Sequence, residues 1–386
     1  MAERSGLFSI GFLVINIQFA LVTAIAALFF AFSGYLASLG IGPGAAGFII
    51  SADALAALLI QPVIAPLVHP GVARRWLLGG SLVFSAALFM LAQADSAPLM
   101  IAARLLQGAG FICVVSALVT MVVQCIPPEM SGRAFGWISL IRLIPYAVIP
   151  LFFDLMKLAP SSFGGALKLA GFAALMPILA LALPRARHSQ QGAAVAPGLS
   201  GMLESLRSPA ALMVLLSSLF FFCGYAAVFF YLKQFGVSRG ITDASLFFTI
   251  ATVAMIVIRI SGGWLFDRYD KVMMCVAGLF AAALSYALLP ACSSSVMFFA
   301  LAGIAGVGWG VSMPLQAAVM FDISDPRARA MNQNLLMVMM QAGFFLGPLL
   351  GGWIISVSGY KALFACLAAL TLASMIMMAA VRRVVK

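Results

Sequence analysis

Tyr35-Leu36-Ala37-Ser38-Leu39-Gly40-Ile41 returns 196 residues later as Tyr231-Leu232-Lys233-Gln234-Phe235-Gly236-Val237. At the same offset Arg133-Ala134 falls on Arg329-Ala330, and Gly110 falls on Gly306. Three separated matches at one spacing point to a chain built twice from one pattern. The polar stretch from Arg185 to Ser208, which contains His188-Ser189-Gln190-Gln191-Gly192, separates the copies. The expected partition is residues 1–184, a linker over 185–208, and residues 209–386.

Composition says what solvent each copy meets. Of 386 residues, 64% are hydrophobic and only 9% are charged. A water-soluble domain is about half apolar and about a quarter charged, and a fold of this length needs more polar surface than this chain has. Lipid must therefore surround most of it. A membrane-crossing helix takes roughly 20 apolar residues. Such runs occur at 8–38, 45–68, 76–94, 98–124, 134–156, 163–183, 210–232, 244–266, 272–290, 295–321, 331–356 and 360–381. The expected fold is an all-α membrane protein of twelve transmembrane helices in two six-helix bundles. Gly40 to Gly44, Pro127-Pro128, Pro184 and Asp322 to Pro326 punctuate the runs.

The net charge of +11 is topological and does not mark a nucleic-acid surface. With both termini in the cytoplasm, 14 of the 22 basic residues fall on that side, five on the other, and three within the spans. That bias sets orientation by the positive-inside rule. The first run is too long for the apolar core of a signal peptide and is read as the first span. Cys113, Cys125, Cys223, Cys275, Cys292 and Cys366 show neither metal nor disulfide spacing. The 22 Met lack the intramembrane His or paired Cys that a soft-metal path needs, so they read as core filler. No cofactor and no metal is expected.

Two six-helix halves in parallel repeat can rock against each other and open a midplane site alternately to each side. Several motifs resemble those of the major facilitator superfamily, and the resemblance covers nearly the whole chain. Gly263-Trp264-Leu265-Phe266-Asp267-Arg268, followed by Lys271, is similar to that family's loop motif between helices 8 and 9. The resemblance implies a conformational latch at Gly263, Asp267 and Arg268. The corresponding first-half loop, Ala65-Pro66-Leu67-Val68-His69-Pro70-Gly71, lacks the acid and the first glycine but keeps Arg74-Arg75. Arg104-Leu105-Leu106-Gln107-Gly108 resembles the family's Arg-x-x-Gln-Gly signature, which implies a cavity-facing Arg104 in proton coupling or anion binding. Packing against backbone carbonyls is the competing role for that arginine. Gly343-Phe344-Phe345-Leu346-Gly347-Pro348-Leu349-Leu350-Gly351-Gly352 looks like the antiporter pattern of helix 5, but it lies in helix 11. There, glycines four apart read most simply as packing and bending residues.

Asp53, Arg142 and Arg259 also fall within spans. Each costs roughly 2.5–3.5 kcal/mol on insertion scales, so each should face protein or water. At 1.5 Å per residue, Asp53 lies about 13 Å deep and Arg142 about 12 Å deep from opposite sides. Both approach the midplane, where secondary transporters bind substrate. Asp53 is the expected proton carrier, and a permanent ion pair with Arg142 or Arg104 is the alternative. Arg142 has the fork geometry for a carboxylate or phosphate, and Tyr146 follows it by one turn on the same face. Arg259 belongs with the cytoplasmic charges.

The expected protein is a proton-coupled secondary transporter of a small organic solute, an anion if Arg142 binds it. Its proton-coupling residues are Asp53 and Arg104, and its substrate residues are Arg142, Tyr146 and Arg104. Export is favoured over uptake of an organic anion or metal chelate. An enzyme would need a nucleophile and base within the spans, whereas His69 and His188 lie in loops. A sensor would be expected to carry a signalling domain. The expected partners are the solute, protons and membrane lipid, and the expected state is a monomer in a bacterial inner membrane.

Overall fold

The computed structural model describes residues 9–125, 131–156, 162–182, 208–241, 243–325 and 329–385, without the side chains of 65–66, 131–136, 154, 262–268, 330 and 385. Among these residues there are helices and no strands. The helices are α1 (Ile10–Leu28), α2 (Phe32–Ser38), α3 (Pro43–Leu67), α4 (Ala73–Ala92), α5 (Ala97–Val123), α6 (Ser131–Leu155) and α7 (Phe163–Ala173). Further along the chain come α8 (Pro209–Ser238), α9 (Leu246–Arg268), α10 (Lys271–Leu288), α11 (Ser295–Ile323) and α12 (Arg329–Val385). Nine described segments are long and apolar enough to cross a membrane, and Trp137–Phe153 and Leu246–Ser261 are shorter apolar helices.

Local chemistry sets the helix ends. Ser9, Ser208, Asp270 and Ser294 begin α1, α8, α10 and α11, and each side chain accepts a hydrogen bond from an otherwise unpaired first-turn N–H. Pro98 and Pro209 open α5 and α8, where a missing N–H costs nothing.

Two of the expected runs are subdivided, and the last two meet at a kink. The first contains a 3₁₀ turn, Phe29–Ala31, between α1 and α2. The sixth is α-helical only to Ala173 and continues as a 3₁₀ segment, Met176–Ala182, where Pro177 cannot extend the α-helical ladder. The last two lie in Arg329–Val385 (α12) as two helices that meet across a kink at Gly359 (φ 75°, ψ −175°), its one non-helical residue.

The contacts divide the chain into two compact units. Met1–Phe29, Ala52–Ile149 and Leu158–Val195 form one, and Phe30–Ser51, Pro150–Lys157 and Ala196–Lys386 form the other. In the first unit, Phe29 packs edge-on to Phe163. In the second, Phe30 packs against Phe153 and Phe248.

The duplication is real, but its register differs from the sequence match. Helices α4, α5 and α6 start at Ala73, Ala97 and Ser131, while α10, α11 and α12 start at Lys271, Ser295 and Arg329, each 198 residues later. Packing follows the same shift. A Cβ on Gly108 would strike the backbone carbonyl of Asp53, and one on Gly306 would strike that of Ala251. Gly110 therefore matches Gly308, not Gly306. Across the loops the shift reaches 200: Ser38 and Ser238 donate to Tyr35 O and Phe235 O, both at 2.7 Å. Gly40 (φ 77°) and Gly240 (φ 74°) follow them in the left-handed conformation that stops each helix.

Candidate functional site

In the first unit, Gly108 lets α5 approach α3 within reach of the Asp53 backbone. Arg104 sits one turn earlier on α5. Its Nη2 reaches Asp53 Oδ1 at 2.6 Å. Its Nη1 donates to Gln107 Oε1 at 2.8 Å. The guanidinium also lies over the Phe29 ring, 4.4 Å from the centroid. The spacing of Arg104, Gln107 and Gly108 thus has one mechanical meaning: glycine admits the neighbour, and the two polar side chains use the space so gained.

The two partners of the ion pair differ in access. The Arg104 side chain is fully buried, whereas 31% of the Asp53 side chain remains exposed. Asp53 is therefore the more accessible member of the pair. Of the two pairings left open by the sequence, Arg104 is the one formed.

Arg142 on α6 lies over the Phe19 ring at 5.6 Å. It is exposed and makes no ion pair with any described residue. Tyr146, one helical turn on, is within electrostatic reach of both Arg142 and Asp53. The four polar residues expected at the site, Asp53, Arg104, Arg142 and Tyr146, are thus neighbours on three helices. Asp53 pairs with Arg104 alone, while Arg142 faces Tyr146, so the group as a whole carries a positive excess. Asn16 Oδ1 and Gln18 Oε1 on α1 are buried without a hydrogen-bond partner among the described residues.

The second unit has no such pair at the matching positions. Offset by 198, Asp53 and Arg104 become Ala251 and Ala302, both fully buried. This unit instead presents an aromatic group that sequence reasoning missed. Tyr225 meets Trp309 edge-on at 4.8 Å and Phe344 at 5.9 Å, and Phe222 lies 6.1 Å from Phe344. Trp309 Nε1 donates to Tyr286 Oη at 2.8 Å, which fixes the indole behind Tyr225. With 31 Phe in the chain, hydrophobic pattern does not separate these partly exposed rings from core.

The glycines Gly343 and Gly347, which fall in α12, are packing residues, as their spacing suggested. A Cβ on Gly343 would meet Phe222 and Cys223, and one on Gly347 would meet Cys223 O. Tyr231 Oη donates to Pro348 O at 2.7 Å, at the point where proline interrupts the ladder.

The side chains of the expected latch residues Gly263, Asp267 and Arg268 lie outside the described residues. Beside them, Lys271 pairs with Asp322 at 2.8 Å, and Arg382 pairs with Asp270 at 3.4 Å. Asp270 also caps α10. These pairs tie the ends of α10, α11 and α12 together. In the first-half loop, exposed His69 accepts from Gly71 N–H at 3.3 Å and so belongs to its own turn.

The family model described as "Major Facilitator Superfamily" matches residues 12–330 and 242–386. The chain belongs to that superfamily of membrane transporters. Its curated relatives match over a shorter stretch. The "Uncharacterized MFS-type transporter YddS" of Bacillus subtilis is 29% identical over 128 residues, 32% of this chain and 29% of that protein. The "Multidrug resistance protein MdtH" of Aeromonas hydrophila is 27% identical over 33% of this chain and 31% of its own. The "Quinolone resistance protein NorA" of Staphylococcus aureus is 27% identical over 33% and 32%. The matched stretch spans about a third of each curated relative.

Solved structures extend the likeness to the whole fold. The nucleoside transporter NupG superposes with a TM-score of 0.81 over 97% of this chain and 100% of its own, at 15% identity. A bacterial homologue of the human lysosomal transporter Spinster gives 0.74 at 14% identity, over 97% and 96%. At these identities the likeness concerns the fold.

Proposed function

We propose that this chain is a proton-coupled secondary transporter that exports a small organic anion by alternating access. The observation that carries the reading is the Asp53–Arg104 pair, 2.6 Å apart deep within the spans, with the arginine buried and the carboxylate partly open. A proton arriving on Asp53 cancels one half of the pair and leaves Arg104 without its counter-charge. The local positive charge then rises, and the preference for an anion near Arg142 rises with it. Loss of the proton reverses both effects. Arg142 binds the anion, Tyr146 supplies a hydroxyl one turn away, and Arg104 links the anion site to the proton site. Proton and anion then move in the same direction, so export runs down the solute's own gradient; it is favoured because relatives named for multidrug and quinolone resistance share a third of the chain. In this reading the protein is a monomer of twelve spans in the bacterial inner membrane, with both termini cytoplasmic. Residues 1–184 and 209–386 are its moving halves, latched by Gly263, Asp267 and Arg268. It performs no covalent chemistry.

The aromatic group of Phe222, Tyr225 and Phe344 favours a second reading, transport of a neutral solute with a flat ring. The two readings separate in proteoliposomes. A thermal-shift screen of organic anions and neutral ring compounds first supplies the solute, and its flux is then measured with and without a pH gradient. In the anion reading, Arg142→Ala loses flux and Tyr225→Ala retains most of it. The opposite order supports the neutral reading and removes the anion site.

A further inference from the structure

On the outer face of the first unit, α4 and α5 are drawn together at two glycines and parted beside them. A Cβ on Gly80 would meet Cys113 and Val114, and one on Gly110 would meet the Phe84 backbone. A Cβ on Gly79 would meet nothing within 4 Å. The result is a groove of about 430 Å³ whose lining includes Arg75, Trp76, Gly79, Val83, Ala109 and Cys113. Its volume falls within the range of sites that hold one small molecule, about 300–1,000 Å³. Exposed Leu78, Leu82 and Val83 flank it, so it opens onto apolar surface.

Its walls are apolar except at one end. From Arg75 to Val83 the groove runs about 12 Å along α4 at 1.5 Å per residue. Among the described residues that line it, Arg75 is the only charged one. That guanidinium is exposed and makes no ion pair or hydrogen bond with the described residues. Its neighbour Arg74 is committed elsewhere, donating to Leu181 O at 3.1 Å. Trp76 stands beside Arg75 at the level where indoles anchor to headgroups. A cation at one end of an apolar trough matches one amphiphile: a phosphate on Arg75 and a hydrocarbon chain along Gly79 and Val83.

We propose that this groove is a binding site for one anionic phospholipid. The positive-inside distribution assigns this end of α4 to the cytoplasmic side, where anionic lipids are drawn to basic sites between spans. The site is independent of Asp53 and Arg142, so it stands or falls separately from the transport reading.

The test is native mass spectrometry of the full chain, purified from bilayers of equal phosphatidylglycerol and phosphatidylcholine. Wild type is expected to retain one phosphatidylglycerol with about tenfold preference, the value of one charge-assisted contact. Excess inorganic phosphate should not displace it. Arg75→Ala should erase the preference, and Gly79→Leu should reduce retention of both lipids by filling the trough. Both changes fall where nothing is packed, and unchanged thermal midpoints verify that the variants fold. Equal retention of the two lipids by wild type overturns the proposal, as does undiminished phosphatidylglycerol on Gly79→Leu.

Discussion

Removing one member of the Asp53–Arg104 pair has a different consequence from removing both. Asp53→Ala takes the Asp53 carboxylate away from the buried Arg104, a change that costs about 3–5 kcal/mol in buried pairs. The double variant Asp53→Ala/Arg104→Ala copies Ala251 and Ala302, which already fill the matching positions in the second unit. It should therefore unfold at a higher temperature than Asp53→Ala alone, while pH-driven flux is lost in both. A double variant no more stable than the single one would show that the pair is not coupled in this way. At Arg142 the expected effect is on affinity. Arg142→Ala should weaken binding of an anionic solute by about ten- to a hundredfold, the worth of a charged hydrogen-bonding contact. Titration calorimetry with the solute found by screening measures it, and an unchanged affinity removes Arg142 from the site.

At the scale of the helices, glycines decide which side chains can meet. Gly108→Ala would push α5 from the Asp53 backbone, with a cost of about 1–3 kcal/mol typical of overpacking. Gly306→Ala strains the second unit in the same manner against Ala251. The two should lower thermal stability alike, but only Gly108→Ala should alter the pH dependence of transport, since only there does the displaced helix carry an ion-paired arginine. Equal pH profiles for the two variants would contradict this. Tyr231→Phe, which loses the bond to Pro348 O, should cost about 0.5–1.5 kcal/mol in denaturant or thermal unfolding and leave solute affinity unaltered. Lys271→Ala breaks an exposed pair with Asp322 and should cost no more than about 1 kcal/mol.

Across the whole molecule, what could be read from sequence was what depends on bulk properties. The lipid solvent followed from composition, and the candidate residues Asp53, Arg104 and Arg142 followed from charge placed where charge is costly. The repeat was visible, but its register was not. Tyr35-Leu36 matched Tyr231-Leu232 by residue identity, while the helix ends and glycine contacts align at 198 and 200. Residue identity is a weak guide among repeated apolar residues, whereas a glycine struck by a neighbouring carbonyl admits one register only. The Asp53–Arg104 partnership was among the alternatives but was not decided, because it depends on how far Gly108 lets α5 approach. The aromatic group around Tyr225 was hidden for a related reason: partly exposed and core Phe look alike in a hydrophobic sequence. The ion pairs of Asp270 and Asp322 join helix ends that are distant in the chain.

The central claim is that Asp53 carries the transported proton. Its most direct test is solute movement in proteoliposomes by wild type and Asp53→Asn, measured both as accumulation driven by a pH gradient and as equilibrium exchange without one. The account predicts that Asp53→Asn abolishes gradient-driven accumulation while exchange persists, since the solute site at Arg142 is retained. Accumulation by Asp53→Asn equal to that of wild type would contradict it.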